Sequence, residues 1–148
     1  MDMKTRLQQE LKAAMLNKDE RRKRTLRMVL SAIKLAEVEK GRPLRDEEVW
    51  SVIRKEIKAR QETAELARQG GREDIAREAE AEIQILEVLL PPPLTDEELD
   101  TIIDQVLQET GASSMKDMGR VMKAVMERVR GRAEGARVSQ RVRAKLAA

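Results

Sequence analysis

The chain has 148 residues, 39% charged, 41% hydrophobic and 1% aromatic, with no cysteine, histidine, phenylalanine or tyrosine and a single tryptophan, Trp50. That length makes one domain or two small ones, and the missing residue types exclude a disulfide framework, a thiolate zinc site, a thiol nucleophile and the common histidine-based triads. The net charge of +3 is unevenly spread: residues 1–45 carry 13 basic and 6 acidic side chains, 46–90 carry 7 and 12, 91–109 carry none and 6, and 110–148 carry 10 and 3.

Apolar residues recur at helical spacing almost throughout and β-branched alternation is nearly absent, so the fold class is all-α. A first helix is expected over 3–17, with Leu7, Leu11 and Met15 on one face. Asn17-Lys18-Asp19 breaks it, and Asp19 caps a second helix to about Glu39, lined by Leu26, Leu30 and Ile33 and widened by Met28 and Val29. Gly41 and Pro43 end that helix. Asp46 is the expected N-cap of a third, with Glu47 and Glu48 where the helix dipole favours carboxylates and Val49, Ile53 and Ile57 inward.

Gly70-Gly71 stops the third helix, and a fourth is expected from about Arg72 to Leu89 with Ile75, Ala79, Ile83 and Leu86 inward. Pro91-Pro92-Pro93 cannot continue a helix and favours a stiff extended form. The expected plan is therefore an N-terminal four-helix subdomain over 1–90, a proline-rich hinge over 91–94 and a C-terminal three-helix bundle over 95–148. Thr95-Asp96-Glu97-Glu98 is a capping box that opens a fifth helix to about Thr110, carrying Leu99, Ile102, Ile103, Val106 and Leu107. After Gly111, Ser114-Met115-Lys116-Asp117 repeats the pattern before a sixth helix lined by Met118, Val121, Met122, Val125, Met126 and Val129. A seventh follows Gly131-Arg132-Ala133-Glu134-Gly135 and carries Val138, Val142 and Leu146.

Several segments together carry a family resemblance. They include Arg27-Met28-Val29-Leu30-Ser31-Ala32-Ile33-Lys34, Glu56-Ile57-Lys58-Ala59-Arg60-Gln61-Glu62, Gly70-Gly71-Arg72-Glu73-Asp74-Ile75 and Ile85 through Pro91. In the C-terminal part they are Lys116-Asp117-Met118-Gly119 and Gly131-Arg132-Ala133-Glu134-Gly135. The chain resembles the GatB/YqeY family, in which a free-standing bacterial protein is similar to the tail domain of the GatB component of the glutamine-dependent tRNA amidotransferase. Aliphatic residues stand near Leu66 and before Pro91 where the family favours aromatics, and Glu134 stands where aspartate is more usual. The resemblance implies an all-α fold and a link to amide transfer on misacylated tRNA, with the chain serving as a tRNA-contacting module. The chemistry of that enzyme lies in parts for which this chain has no room.

The strongest binding candidate is the basic side of the last two helices. Lys116, Arg120, Lys123 and Arg130 stand at i, i+4, i+7 and i+14, so they are expected to project from one side of helix six, and Arg137, Arg141 and Lys145 to do the same on helix seven. With Arg132 between them, these groups are expected to form one cationic groove for a phosphate backbone. The alternative is that they solvate the outer faces of amphipathic helices. Gly119, inside a helix at a cost of up to about 1 kcal/mol against alanine, points to close approach of another helix or of a ligand, with helix packing favoured. Gly131 and Gly135 bracket a turn. A second basic set, Arg24, Arg27 and Lys34 with the cluster from Arg21 to Arg24, is weighed against neutralisation by Asp19, Glu20 and the acidic middle helices.

With Trp50 the one aromatic ring, on a helix where packing is its expected use, RNA recognition has to follow backbone shape and charge, which suits structured tRNA. Carboxylates such as Glu47/Glu48 and Glu78/Glu80/Glu82 diverge around their helices and do not converge on one atom. Ser113 and Ser114 have no histidine to activate them. Met115, Met118, Met122 and Met126 offer either core filling or an adaptable protein-binding groove. No cofactor, metal or catalytic residue is assigned. No apolar stretch approaches the roughly 20 residues that span a bilayer, and Met1-Asp2-Met3-Lys4-Thr5 leads into a polar amphipathic segment.

The expectation is a cytoplasmic, non-catalytic tRNA-associated module. Its partners are tRNA and the amidotransferase or other translation proteins; neither a membrane nor DNA is expected. One alternative is a protein-interaction module using the acidic middle helices and the methionine groove. The other is a carbon–nitrogen ligase with glutamine as amide donor, a reading the residue inventory opposes.

Overall fold

The computed structural model describes residues 2–147, and all regular structure among them is helical. Two compact units follow one another, one up to Leu90 and one from Pro91 onward. In the first, α1 (Met3–Leu16), α2 (Glu20–Lys40), α3 (Asp46–Gln69) and α4 (Glu73–Glu87) pack around Leu7, Leu26, Val29, Ile33, Val49, Ile53, Leu86 and Leu89. Each of these is withdrawn from water, and burial of such side chains stabilises by about 1.5–3 kcal/mol apiece. Trp50 packs at the edge of this core, and its indole Nε1 is buried without a partner among the described residues. Beyond it, α3 and α4 meet along Ala64, Ala67, Ala76 and Ala79, where short side chains let the two backbones approach.

Helix ends follow local chemistry. The Asp2 carboxylate accepts from the Thr5 N–H at 2.7 Å and Asp19 accepts from Arg22 N–H at 3.1 Å, each satisfying an orphan donor of a first turn. Gly41 (φ 70°) and Gly111 (φ 69°) take the left-handed conformation that closes α2 and α5. Asp46 departs from expectation: it is the first residue of α3 rather than its cap, and its Oδ1 accepts from the Met3 N–H at 3.0 Å, tying the start of α1 to α3. The capping role at this end falls to Glu48, whose carboxylate accepts from the Arg45 N–H at 3.0 Å. Three inward assignments in the first unit also change. Met15, Met28 and Ile75 are exposed, at 49%, 50% and 40%, and the neighbouring Ala14, Val29 and Ala76 are buried. Drift of the 3.6-residue period along a helix turns a marginal apolar position outward.

In the second unit, α5 (Asp96–Thr110), a 3₁₀ turn over Met115–Asp117, α6 (Met118–Val129) and α7 (Gly135–Ala147) enclose Leu94, Leu99, Ile103, Val106, Val121, Val125, Val129, Val138, Val142 and Leu146. The core has no ring in it. The Thr95 box forms as expected: Glu98 N–H donates to Thr95 Oγ1 at 3.1 Å, and Thr95 N–H donates to Glu98 Oε1 at 3.0 Å. The Ser114 box does not form. Its place is taken by the 3₁₀ turn, and Asp117 accepts from the Ser113 N–H at 3.3 Å.

Candidate nucleic-acid interface

Because Val121, Val125 and Val129 are buried at i, i+4 and i+8, the opposite side of α6 is fixed as the outer one. On it, Gly119, Lys123 and Met126 follow one another at i, i+4 and i+7, with Arg130 at the end, and Arg120 and Glu127 run beside them; all six are exposed. Lys116 stands exposed on the preceding 3₁₀ turn. Lys123, Arg130 and Lys116 make no ion pair among the described residues, whereas Arg120 donates to Asp117 Oδ1 at 2.9 Å, one turn back on its own chain. Arg130 has φ 49° and ψ 50°, a left-handed conformation that is uncommon outside glycine, and Gly131 continues the reversal at φ 75°. The helix-packing explanation of Gly119 is corrected here, for a Cβ at that position meets no atom within 4 Å.

Helix α7 has a different surrounding. Arg137 donates to Asp96 at 2.7 Å, Arg141 donates through Nε and Nη2 to both oxygens of Asp100 at 2.7 and 2.6 Å, and Lys145 Nζ lies 3.1 Å from Asp104. Acids and bases each recur every four residues, and every bonded pair is separated by 41 positions, so α5 and α7 run in the same direction in one register. The Arg137 guanidinium, with Arg141 nearby, holds the Asp96 carboxyl below its ordinary value of 3.8, and the Arg141 fork does the same for Asp100. The arginine is shifted in the opposite sense, upward, by Asp100.

The cationic groove expected across helices six and seven is therefore corrected. Arg137, Arg141 and Lys145 face α5 and are neutralised by it. Arg132 is not a free bridging cation either: its Nε donates to the Pro92 carbonyl at 3.0 Å, and its own carbonyl accepts from the Leu94 N–H at 2.9 Å. This glycine-bracketed turn with buried Ala133 fastens residues 92–94 to the second unit, and Gly135 opens α7. Of the candidates, Arg120, Lys123 and Arg130 are exposed on α6 and at its end, and Lys116 is exposed on the turn before it. Sequence reasoning missed exposed Arg143 on α7, which has no ion pair among the described residues.

Elsewhere the basic cluster at the start of α2 is largely neutralised: Arg21 and Arg24 both donate to Glu78, at 2.8 and 2.7 Å, Arg22 pairs with Asp19 and Lys23 with Glu20. Arg21 above all draws the Glu78 carboxyl down. The methionines do not line one groove, because Met118 and Met122 pack on the core while Met115 and Met126 are exposed. A further residue escaped the sequence reading. Arg60 is 8% exposed and reaches Glu82 Oε1 at 3.2 Å, Glu56 Oε1 at 3.1 Å and the Glu56 carbonyl at 3.0 Å, joining α3 to α4. Its signal was there to be read: a cation continuing the apolar stripe of Val49, Ile53 and Ile57 towards Ala64.

Comparison with known proteins places these features in a family context. The family model described as Yqey-like protein matches residues 4–146. The protein named Altered inheritance of mitochondria protein 41, mitochondrial, from Eremothecium gossypii is 31% identical over 111 residues, covering 73% of this chain and 61% of its own length. Its namesake in Kluyveromyces lactis is 37% identical over 106 residues (70% and 57%), and that in Pyrenophora tritici-repentis is 30% identical over 132 (86% and 71%). The chain thus spans about three fifths of the first of these relatives. Their names overturn the cytoplasmic assignment. A cysteine-free composition separates reducing from oxidising compartments and says nothing about which reducing compartment holds a protein.

Proposed function

Because the chain belongs to the YqeY-like family, we propose that it is a non-catalytic tRNA-associated module, linked through that kinship to glutamine-dependent tRNA amidation. In this reading the outer side of α6 meets the phosphates. The proline run joins the four-helix part to the three-helix part, and the N-terminal helices position the surface or hold a protein partner. The observation that carries the reading is the set Lys116, Lys123 and Arg130, exposed and without a carboxylate among the described residues, beside the bare backbone of Gly119. With Arg120 held only by Asp117 in its own segment, a polyanion meets three or four available cations here.

Titration of tRNA binding against salt tests it. At about 0.9 per phosphate neutralised, the log–log slope is expected near −3 to −4. Lys123→Glu with Arg130→Glu should abolish binding, whereas Arg137→Ala should leave the slope nearly unchanged. A flat salt response, or a slope lost with Arg137 and kept without Lys123, refutes the assignment of this face. Purified protein given misacylated tRNA, glutamine and ATP is expected to yield no amidated product; amidation by the chain alone would overturn the non-catalytic reading.

A further inference from the structure

Helices α1 and α2 form a hairpin whose turn combines apolar side chains with cations. Every residue from Met15 to Glu20 is exposed, and Leu16, at 75%, is the most exposed large apolar side chain among the described residues. Single exposed aliphatic residues are ordinary; this one has Met15 beside it at the end of α1 and basic groups around both. Lys12 lies one turn before Leu16 and Lys18 two residues after it. Arg27 reaches across from α2, its Nη2 lying 4.0 Å from the Met15 sulfur. All three cations are exposed, and none makes an ion pair among the described residues.

The acids nearby do not cancel the charge. Residues 12–27 hold seven basic and two acidic side chains, and both acids are engaged locally: Asp19 accepts from the Arg22 N–H at 3.1 Å, and Glu20 Oε2 lies 3.0 Å from Lys23 Nζ. From α4, Glu78 is shared by Arg21 and Arg24, and Glu82 is held by Arg60. Glu10, two residues before Lys12, stands on the opposite side of α1. With Glu78 counted as a third acid, the hairpin end keeps a surplus of four positive charges.

The possible occupants differ in what they use. A nucleic acid would engage the cations and leave Leu16 and Met15 without an apolar partner. A partner helix needs apolar residues recurring every three or four positions, and here they do not continue: one turn back stand Lys12 and half-buried Leu11, and α1 stops at Leu16. Opposed copies of this end would set two like surpluses against each other. The interface of a bilayer uses both features together, because aliphatic side chains enter the acyl boundary while Lys and Arg meet anionic headgroups. We infer that the α1–α2 end docks on an anionic lipid surface, with Leu16 and Met15 inserting and Lys12, Lys18 and Arg27 at the headgroups. No helix among the described residues is long and apolar enough to cross a membrane, which bears on spanning and not on attachment from one side. This surface lies on the first unit and stands or falls independently of the α6 side.

The test is co-sedimentation of the full chain with vesicles of phosphatidylcholine and phosphatidylglycerol in equal parts, beside vesicles of phosphatidylcholine alone. At low salt the anionic vesicles are expected to bind at least about tenfold more tightly. Leu16→Ser, which changes no charge, should weaken that binding severalfold, and Lys12→Gln with Lys18→Gln should weaken it at least about tenfold. Leu16→Trp should add fluorescence that brominated phosphatidylcholine in the anionic vesicles quenches, whereas the parent, with Trp50 alone, is little affected. Lys123→Glu with Arg130→Glu should leave vesicle binding unchanged. All of these substituted side chains are exposed, so thermal melts by circular dichroism are expected to coincide with the parent's. Vesicles that bind alike or not at all, an affinity that Leu16→Ser leaves unaltered, or an added indole that brominated lipid does not quench overturn the proposal. So does vesicle binding lost with Lys123 and Arg130, tRNA affinity that falls with Leu16→Ser, or a dimer of the chain that Leu16→Ser dissolves.

Discussion

Helices α6 and α7 of the second unit both carry arginine and lysine at about one-turn spacing, and the cations singled out on each meet different fates. On α7, Arg137, Arg141 and Lys145 each find an aspartate on α5, whereas on α6 Lys123 and Arg130 find none among the described residues. The difference is not written in either helix. It lies in α5, whose Asp96, Asp100 and Asp104 stand one turn apart on the side that α7 meets. Periodicity tells which face of a helix a charge occupies; only the neighbour tells whether that charge remains available to a ligand.

The extreme of an engaged cation is Arg60, and removing it has the largest expected effect. Breaking a largely buried ion pair leaves its acid without compensation, at a cost of about 3 kcal/mol. Arg60→Ala should destabilise the first unit by that order, and Trp50 fluorescence reads that unit alone, because it contains the only tryptophan. Glu82→Gln in the same background should recover part of the loss, since the stranded carboxylate is then gone. Additive losses would show that Arg60 contributes by packing rather than by charge.

Next in size is the conversion of α7 into a second α6. Asp96→Asn, Asp100→Asn and Asp104→Asn together keep the shape of the α5 side and release three cations. If neutralisation alone separates the two helices, the salt slope for tRNA should steepen by up to about 3, at 0.9 per added phosphate contact. An unchanged slope would mean that α7 is inaccessible for another reason. The same variant checks the acid side of the ladder. Asp96 and Asp100 are held below 3.8, so their contribution is present above that pH and is lost as pH falls through their lowered folded values. The stability difference between parent and variant, read by circular dichroism, should therefore shrink towards zero in strong acid.

Much of the fold was open to reading because its signals are local. Thr95 and Glu98 lie three residues apart, and Gly41 and Gly111 act at their own backbone angles. Much of what escaped depends on partners far along the chain. Asp46 has the right chemistry for a cap, but Met3, 43 residues away, claims its carboxylate. Ser114 opens a pattern that Asp117 completes differently, because a 3₁₀ turn precedes α6 and brings that carboxylate to the Ser113 amide. The candidate site was half legible for the same reason: the exposed side of α6 follows from Val121, Val125 and Val129 alone, while the fate of Arg137, Arg141 and Lys145 needed contacts 41 residues distant.

The smallest effect separates two meanings of a bare position on the free helix. Gly119 lies in the first turn of α6 at an ordinary negative φ, and a methyl group there meets nothing within 4 Å. Gly119→Ala should therefore stabilise the second unit by about 0.5 kcal/mol, through the loss of backbone freedom in the unfolded chain. If the glycine keeps the surface beside Lys123 low enough for a phosphate backbone to approach, tRNA affinity must fall while stability rises, and the salt slope must hold because no charge has changed. A rise in stability with affinity intact would leave Lys116, Lys123 and Arg130 as the binding groups and remove the glycine from the interface.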